Sequence, residues 1–383
     1  MTTQRKRTVR AASLLAAAGL ALTACSGMGG EAQPAAAPAA TANDACETVD
    51  SVTVVLQWVA QAQFAGYYAA DANGHYDDLC LDVTIQEGGT NVVPQQVVAS
   101  GNAQFAVSHV NKSMVSREQG ADIVNIGQVF ERGAYLQVSW ADSGIDSLDD
   151  LAGTTMGSWG GGNELALYSA MRASGVDPTT DVQVLQQPFD MSMLLNREAD
   201  SVQAKTYNEY AQLLESVNPE TGELYQPEDF SAINLQDEGF GTLEDGIYAR
   251  DSWLAEGDNA DIATRFLAAS YMGWADCRDD GDACVQLVLQ QGSALGTSHQ
   301  AWMMNEINAL IWPSTNGIGR MDEAAWDRTV QGAIEGAVLT AEPVDGYRTD
   351  LTEAALALVE EAGYDITGTD WQRAEVELVE GGR

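Results

Sequence analysis

A chain of 383 residues with 45% hydrophobic side chains is long enough for two units with full cores. Its 56 acidic against 18 basic side chains give a formal charge of −38, which argues against nucleic acid and anionic lipid head groups as partners. After residue 25 no apolar run approaches the roughly 20 residues that a membrane span needs.

Arg5, Lys6, Arg7 and Arg10 form a basic start, and residues 11–22 an apolar stretch too short for a stable span. It closes on Leu22-Thr23-Ala24-Cys25, which resembles the bacterial lipobox, whose cysteine becomes the lipid-bearing first residue of the mature chain. Residues 1–24 are therefore expected to be a lipoprotein signal peptide, and residues 25–50 a lipidated flexible tether rich in Gly, Ala, Pro and Ser. Loss of the four basic leader residues leaves 14 basic against 56 acidic side chains, or −42. That acidity reads as a solvated surface and identifies no ligand.

Five cysteines are present, and with Cys25 lipidated an even number remains for an oxidising compartment. Cys277 and Cys284 flank the polar loop of CRDDGDAC, which lets two helix ends meet, and Cys46 then pairs with Cys80. No C-x-x-C occurs, and His75, His109 and His299 are scattered, so no metal site is expected.

In chain order, Val52, Val54 and Val55 form a β-branched run suited to a buried parallel strand. It leads through Gln57-Trp58 into a helix that opens at 60–63. A tryptophan there reads either as core or as a ligand face at the carboxyl end of a strand, where open α/β sheets bind ligands. Strands follow at 79–85, 103–107 and 121–129, with a helix at 93–100, and this order predicts a parallel sheet with right-handed crossovers. A second strand, glycine-loop and helix unit at 154–165 marks a second α/β unit, with further strands at 182–185 and 201–204. Residues 218–230 read as a turn-rich insertion and 246–249 as the strand returning to the first unit. Helices are expected at 262–276, 283–291, 299–311, 322–340 and 351–362, with Trp302, Met303, Ile307 and Leu310 as core. The division is residues 51–139 and 245–383 in lobe I and 140–244 in lobe II, two lobes joined by two crossover strands around a cleft.

Residues at carboxyl strand ends or helix starts are the candidates for that cleft. From lobe I these are Trp58, Gln63, Phe64, Gln95, Ser108 and Asn111. From lobe II they are Ser158, Trp159, Asn163, Glu164, Gln187, Asp190, Tyr207, Asn208 and Glu209. Aromatic faces with amides and a few carboxylates suit a flat, uncharged, polar heterocycle. The loop Gly160–Gly162 lacks the Lys-Ser/Thr of a phosphate-binding loop, and Glu164 beside it disfavours phosphate. No G-x-S-x-G occurs, and Ser108 and His109, as strand neighbours, should point to opposite faces, so no catalytic residues are assigned.

The segments LQWVAQAQFAGYYAA, LDVTIQEGGTNVVPQQVVASGNAQFAV, GSWGGGNELAL, QQPFDM, KTYNEYAQLLE and INALIWPSTNGIG resemble the substrate-binding lipoproteins of bacterial ABC importers. Within them, they resemble the branch of thiamine-pyrimidine-precursor synthases and riboflavin-binding proteins. The resemblance implies a type II periplasmic-binding-protein fold that closes over one small molecule and delivers it to a membrane permease with its ATPase. It also implies a monomer on the extracytoplasmic face of the membrane, without a cofactor. Thiamine-precursor binders of this branch stack a pyrimidine on the tryptophan that matches Trp58, but where they carry histidine this chain has Phe64. WVAQAQFAGYYAA, QQPFDM and TYNEYAQ are more similar to riboflavin-binding proteins, so riboflavin or a related flavin is the expected ligand and a pyrimidine precursor the alternative. The branch also includes a pyridoxal-phosphate-dependent pyrimidine synthase. Its cofactor lysine matches Ser108, its cysteine-rich segment matches cysteine-free 236–246, and Lys112 and Lys205 are the lysines left after signal cleavage.

Overall fold

The computed structural model describes residues 46–382. The expected signal peptide 1–24, the lipidation site Cys25 and the tether as far as residue 45 lie outside the described residues. Among the described residues no helix is long and apolar enough to cross a membrane.

The chain forms ten strands: β1 (Asp50–Val55), β2 (Leu81–Gln86), β3 (Phe105–His109), β4 (Val124–Gln128), β5 (Tyr135–Trp140), β6 (Thr155–Ser158), β7 (Gln183–Gln186), β8 (Ser201–Lys205), β9 (Phe230–Asn234) and β10 (Asp245–Ala249). They make two sheets, ordered β2-β1-β3-β10-β4 and β7-β6-β8-β5-β9. The inner strands β3 and β10 are buried along their whole length, because helices cover both faces. The edge strand β2 alternates buried and open residues, as a half-covered edge does.

The expectation of parallel sheets holds for all but one strand in each. β10 runs antiparallel to β3 and β4, and β5 runs antiparallel to β8 and β9. Both are the strands by which the chain changes lobes. A crossing segment enters a sheet from the cleft end instead of returning through a helix, so its direction is reversed. β5 belongs to the second sheet, which puts the first crossing at 129–134, ahead of the boundary expected at 140. β9 departs from the turn-rich insertion expected at 218–230: Phe230 opens the strand and packs in the second lobe beside Trp140, with ring centroids 5.0 Å apart.

Helix Ala65–Ala72 crosses helix Asn259–Asp279 closely enough that a Cβ on Gly66 would lie 2.2 Å from the Trp274 ring, and one on Gly273 2.1 Å from the Gly66 carbonyl. That crossing fixes the turn Ala62–Phe64 just before the first helix, and with it the glutamines that face the cleft. The helix expected at 322–340 spans Glu323–Glu335, because Ala337 takes a positive φ of 56° and ends it.

Cys46 is bonded to Cys80 and Cys277 to Cys284, over sequence separations of 34 and 7. In the chain-entropy account the longer loop restrains the unfolded chain more, by about 4 against about 2 kcal/mol. Urea unfolding of Cys46→Ser/Cys80→Ser is therefore expected to show the larger loss. A larger loss from Cys277→Ser/Cys284→Ser would mean that native packing, not loop closure, sets the effect.

Candidate functional site

Between the sheets lies a cavity of about 680 Å³, lined from both lobes at the carboxyl ends of strands. The chain leaves β1 at Gln57-Trp58, where Gly88 donates its N–H to the Trp58 carbonyl at 2.9 Å. A Cβ on Gly88 would stand 2.1 Å from the Leu56 carbonyl, so only glycine lets the β2 end close on this loop and fix the Trp58 backbone. Trp58 rests partly buried on the lobe I core and meets Phe189 of the other lobe, ring centroids 5.3 Å apart at 52°. Asn111 on helix Val110–Glu118 donates to the Gly162 carbonyl at 2.8 Å, a second link across the cleft.

Of the expected residues, Trp58, Gln63, Gln95, Ser108, Asn111, Trp159, Asn163, Glu164, Tyr207, Asn208 and Glu209 all line this cavity. Two do not. Phe64 is fully buried in the lobe I core, because the turn at 62–64 points alternate side chains to opposite sides and sends Gln63 to the cleft instead. Asp190 is exposed and accepts the Ser192 N–H at 2.9 Å, starting the next helix, while its neighbour Phe189 reaches the cavity. Ser158 and Gln187 are turned inward onto Gln203. Ser108 and His109 both line the cavity, since the strand ends there and the backbone turns into a helix.

Below the cavity lies a buried polar network that the sequence reading did not foresee. Lys205 Nζ binds Glu244 Oε2 at 2.5 Å and stands 3.2 Å from the Tyr135 ring centroid. Glu244 Oε1 accepts the Ala134 N–H at 2.6 Å, so one carboxylate joins the two crossover segments to β8. Asp245 accepts from Gln63 at 2.9 Å and from Gln57, and lies 3.3 Å from His109 Nε2. Asn208 bridges Glu209 and His299, each at 2.9 Å, and His299 is backed by Glu215.

Burial is the main cause of the shifts in this network. It lowers the pKa of His109, further depressed by Lys112 and Lys205, and lowers both lysines. It raises Glu209, and with the repulsion of Glu244 it pushes Asp245 up to about 7 against the hydrogen bond from Gln63. A carboxyl raised in the fold contributes stability that is complete below its unfolded pKa of about 4 and is lost as the pH rises through about 7. Asp245→Asn is expected to remove that part of the decline, so that its urea midpoint gains on the parent's between about pH 4 and pH 7. Glu131, also pushed up to about 7, is present in both proteins and cancels in the comparison. Identical pH slopes would exclude Asp245 as the source.

Lys112, Lys205, Phe189, Gln57 and His109 are cavity residues that the sequence reading missed. A signal for the lysines was present: the whole chain has Lys6, Lys112 and Lys205, and both that follow the leader stand at the cavity.

Two α/β lobes that meet over a cleft at their strand ends define the periplasmic-binding-protein fold. The aliphatic sulphonate binding protein SsuA of Escherichia coli shares it, with a TM-score of 0.59 and 16% identity over 78% of this chain and 96% of that one. Residues 61–283 match the NMT1/THI5-like family model, and the chain belongs to that family. The riboflavin-binding protein RibY of Chloroflexus aurantiacus is 27% identical over 85% of this chain and 92% of its own. The formylaminopyrimidine-binding protein of Halalkalibacterium halodurans is 24% identical over 63% and 71%.

Proposed function

We propose that this chain is a lipid-anchored, extracytoplasmic substrate-binding protein of an ABC importer that captures riboflavin or a related flavin by ring stacking and lobe closure. The observation that carries the reading is the cavity itself. It combines aromatic faces from both lobes, Trp58, Trp159, Phe189 and Tyr207, with a lining of neutral amides. Its volume of about 680 Å³ lies within the ~300–1,000 Å³ of pockets for drug-sized molecules and leaves much room around a single pyrimidine ring. Similarity to RibY along nearly the whole chain supports the same ligand class. The leader ending at Cys25 supports the anchor, and a permease with its ATPase is the partner such a protein would serve.

Catalysis is not part of the proposal. The position that matches the synthase's cofactor lysine is Ser108, and Lys205 is held by Glu244. Titration of the full chain in mild detergent with riboflavin, followed by the flavin's own fluorescence, tests the ligand. Saturable quenching at micromolar or lower concentration is expected. Binding of 4-amino-5-hydroxymethyl-2-methylpyrimidine without riboflavin would leave the transport role and replace the ligand.

A further inference from the structure

Most polar side chains around the cavity are committed to one another. Asn163 donates to the Gly160 carbonyl and accepts from Tyr135, Glu209 is held by Asn208 and the Lys205 N–H, and Gln63 lies between Gln61 and Asp245. Gln95 differs. It is 4% exposed, its Nε2 donates to Ser108 Oγ, and its Oε1 has no hydrogen-bond partner. Lys112 is the second uncommitted group: among the described residues no acceptor lies within hydrogen-bond or ion-pair distance of its ammonium, whereas Lys205 is matched by Glu244. The two side chains come from helices Pro94–Ala99 and Val110–Glu118, which touch each other and flank the end of β3. Buried acceptors are almost always paired, so a bare amide oxygen in a cavity wall points to a donor supplied from outside the protein.

We propose that Gln95 Oε1 and Lys112 Nζ together read a carbonyl–imide edge of the ligand, the ring N–H donating to Gln95 and the adjacent carbonyl accepting from Lys112. This rests on the heteroaromatic-ligand reading above and narrows it to rings with a hydrogen-bond donor beside an acceptor on one edge, as the pyrimidinedione of flavins has. An aminopyrimidine presents an exocyclic amine beside a ring nitrogen, so it engages the same two groups without a carbonyl, and relative affinity is what separates the two ligands. A full anion is not required either. Glu164, Glu244 and Asp245 already act on the Lys112 charge, so a neutral carbonyl suffices.

The test compares riboflavin with 3-methylriboflavin, which keeps the ring system and both carbonyls but has no imide N–H, on the unaltered full chain. Binding of the methylated flavin is expected to be weaker by about tenfold or more. Gln95→Leu should erase most of that difference by weakening riboflavin. Lys112→Met should weaken riboflavin about tenfold, with Lys112→Arg recovering part of the loss. Equal affinity of the unaltered protein for the two flavins would overturn the edge assignment while leaving flavin capture intact. Absence of riboflavin binding, or preference for the aminopyrimidine, would overturn both. The flavin comparison needs no variant, so a misfolded mutant does not blunt it.

Discussion

Lys205→Met is expected to lower the stability of the fold by about 3–5 kcal/mol, the range for stranding one member of a buried ion pair. The lysine side chain is 8% exposed and Glu244 1%, so water reaches neither partner well. With the ammonium gone, Glu244 keeps the Ala134 N–H but loses the charge that compensates it. Tyr135 loses the cation that stands on its ring face as well. The damage falls where the lobes are joined. Ala134 and Glu244 lie on the two crossover segments, which are also tied by the Gly133 N–H to Gln236 and the Phe130 N–H to the Asp245 carbonyl. Pairing the change with Glu244→Gln should return part of the stability, because glutamine is neutral and its oxygen still accepts from Ala134. Urea unfolding of the single and double variants measures this. A single-variant loss below about 1 kcal/mol, typical of exposed pairs, would mean that the site is better hydrated than its burial indicates.

The contrast between Lys205 and Trp58 shows what the sequence carried and what it did not. Strand order and strand-end positions follow from local pattern: a β-branched run, a turn, a helix start. A residue singled out by that rule, such as Trp58, Gln95 or Asn163, reaches the cavity because the strand ends of both sheets face it. The rule is good to about one residue. It chose Asp190 where Phe189 is the one that turns inward, and took Phe64 with Gln63 although neighbours in a tight turn diverge. Lys205 and Glu244 are 39 positions apart and meet through the antiparallel pairing of β5 with β8 and the return crossing into β10. No local pattern encodes such a contact. The same reversal of β5 and β10 escaped the reading because direction in a sheet depends on where the chain re-enters it. Composition holds one further clue, the scarcity of lysine, but a count says nothing of position.

Trp58→Ala is expected to weaken flavin binding at least about tenfold, or roughly 1.4 kcal/mol, since an indole supplies both stacking and a large buried area to a flat ring. The position is built for that use. Its carbonyl is pinned by Gly88, its ring rests partly on the lobe I core, and its other neighbour is Phe189 from the opposite lobe. On the proposed reading a ligand held at Trp58 would contact both lobes at once, which would couple its binding to closure. Phe189→Ala should cost less, since that ring is 56% exposed and has less area to lose. Trp58→Phe separates stacking from bulk: it should retain much of the affinity, because a benzene ring still stacks, while quenching the flavin's fluorescence less. Calorimetric titration gives the affinities and flavin fluorescence the ring contact. Unchanged affinity in Trp58→Ala with the fold intact would move the ring to Trp159 or Tyr207 in lobe II. Closure would then be the step that brings lobe I to an already seated ligand, and Phe189→Ala would become the more damaging of the two variants.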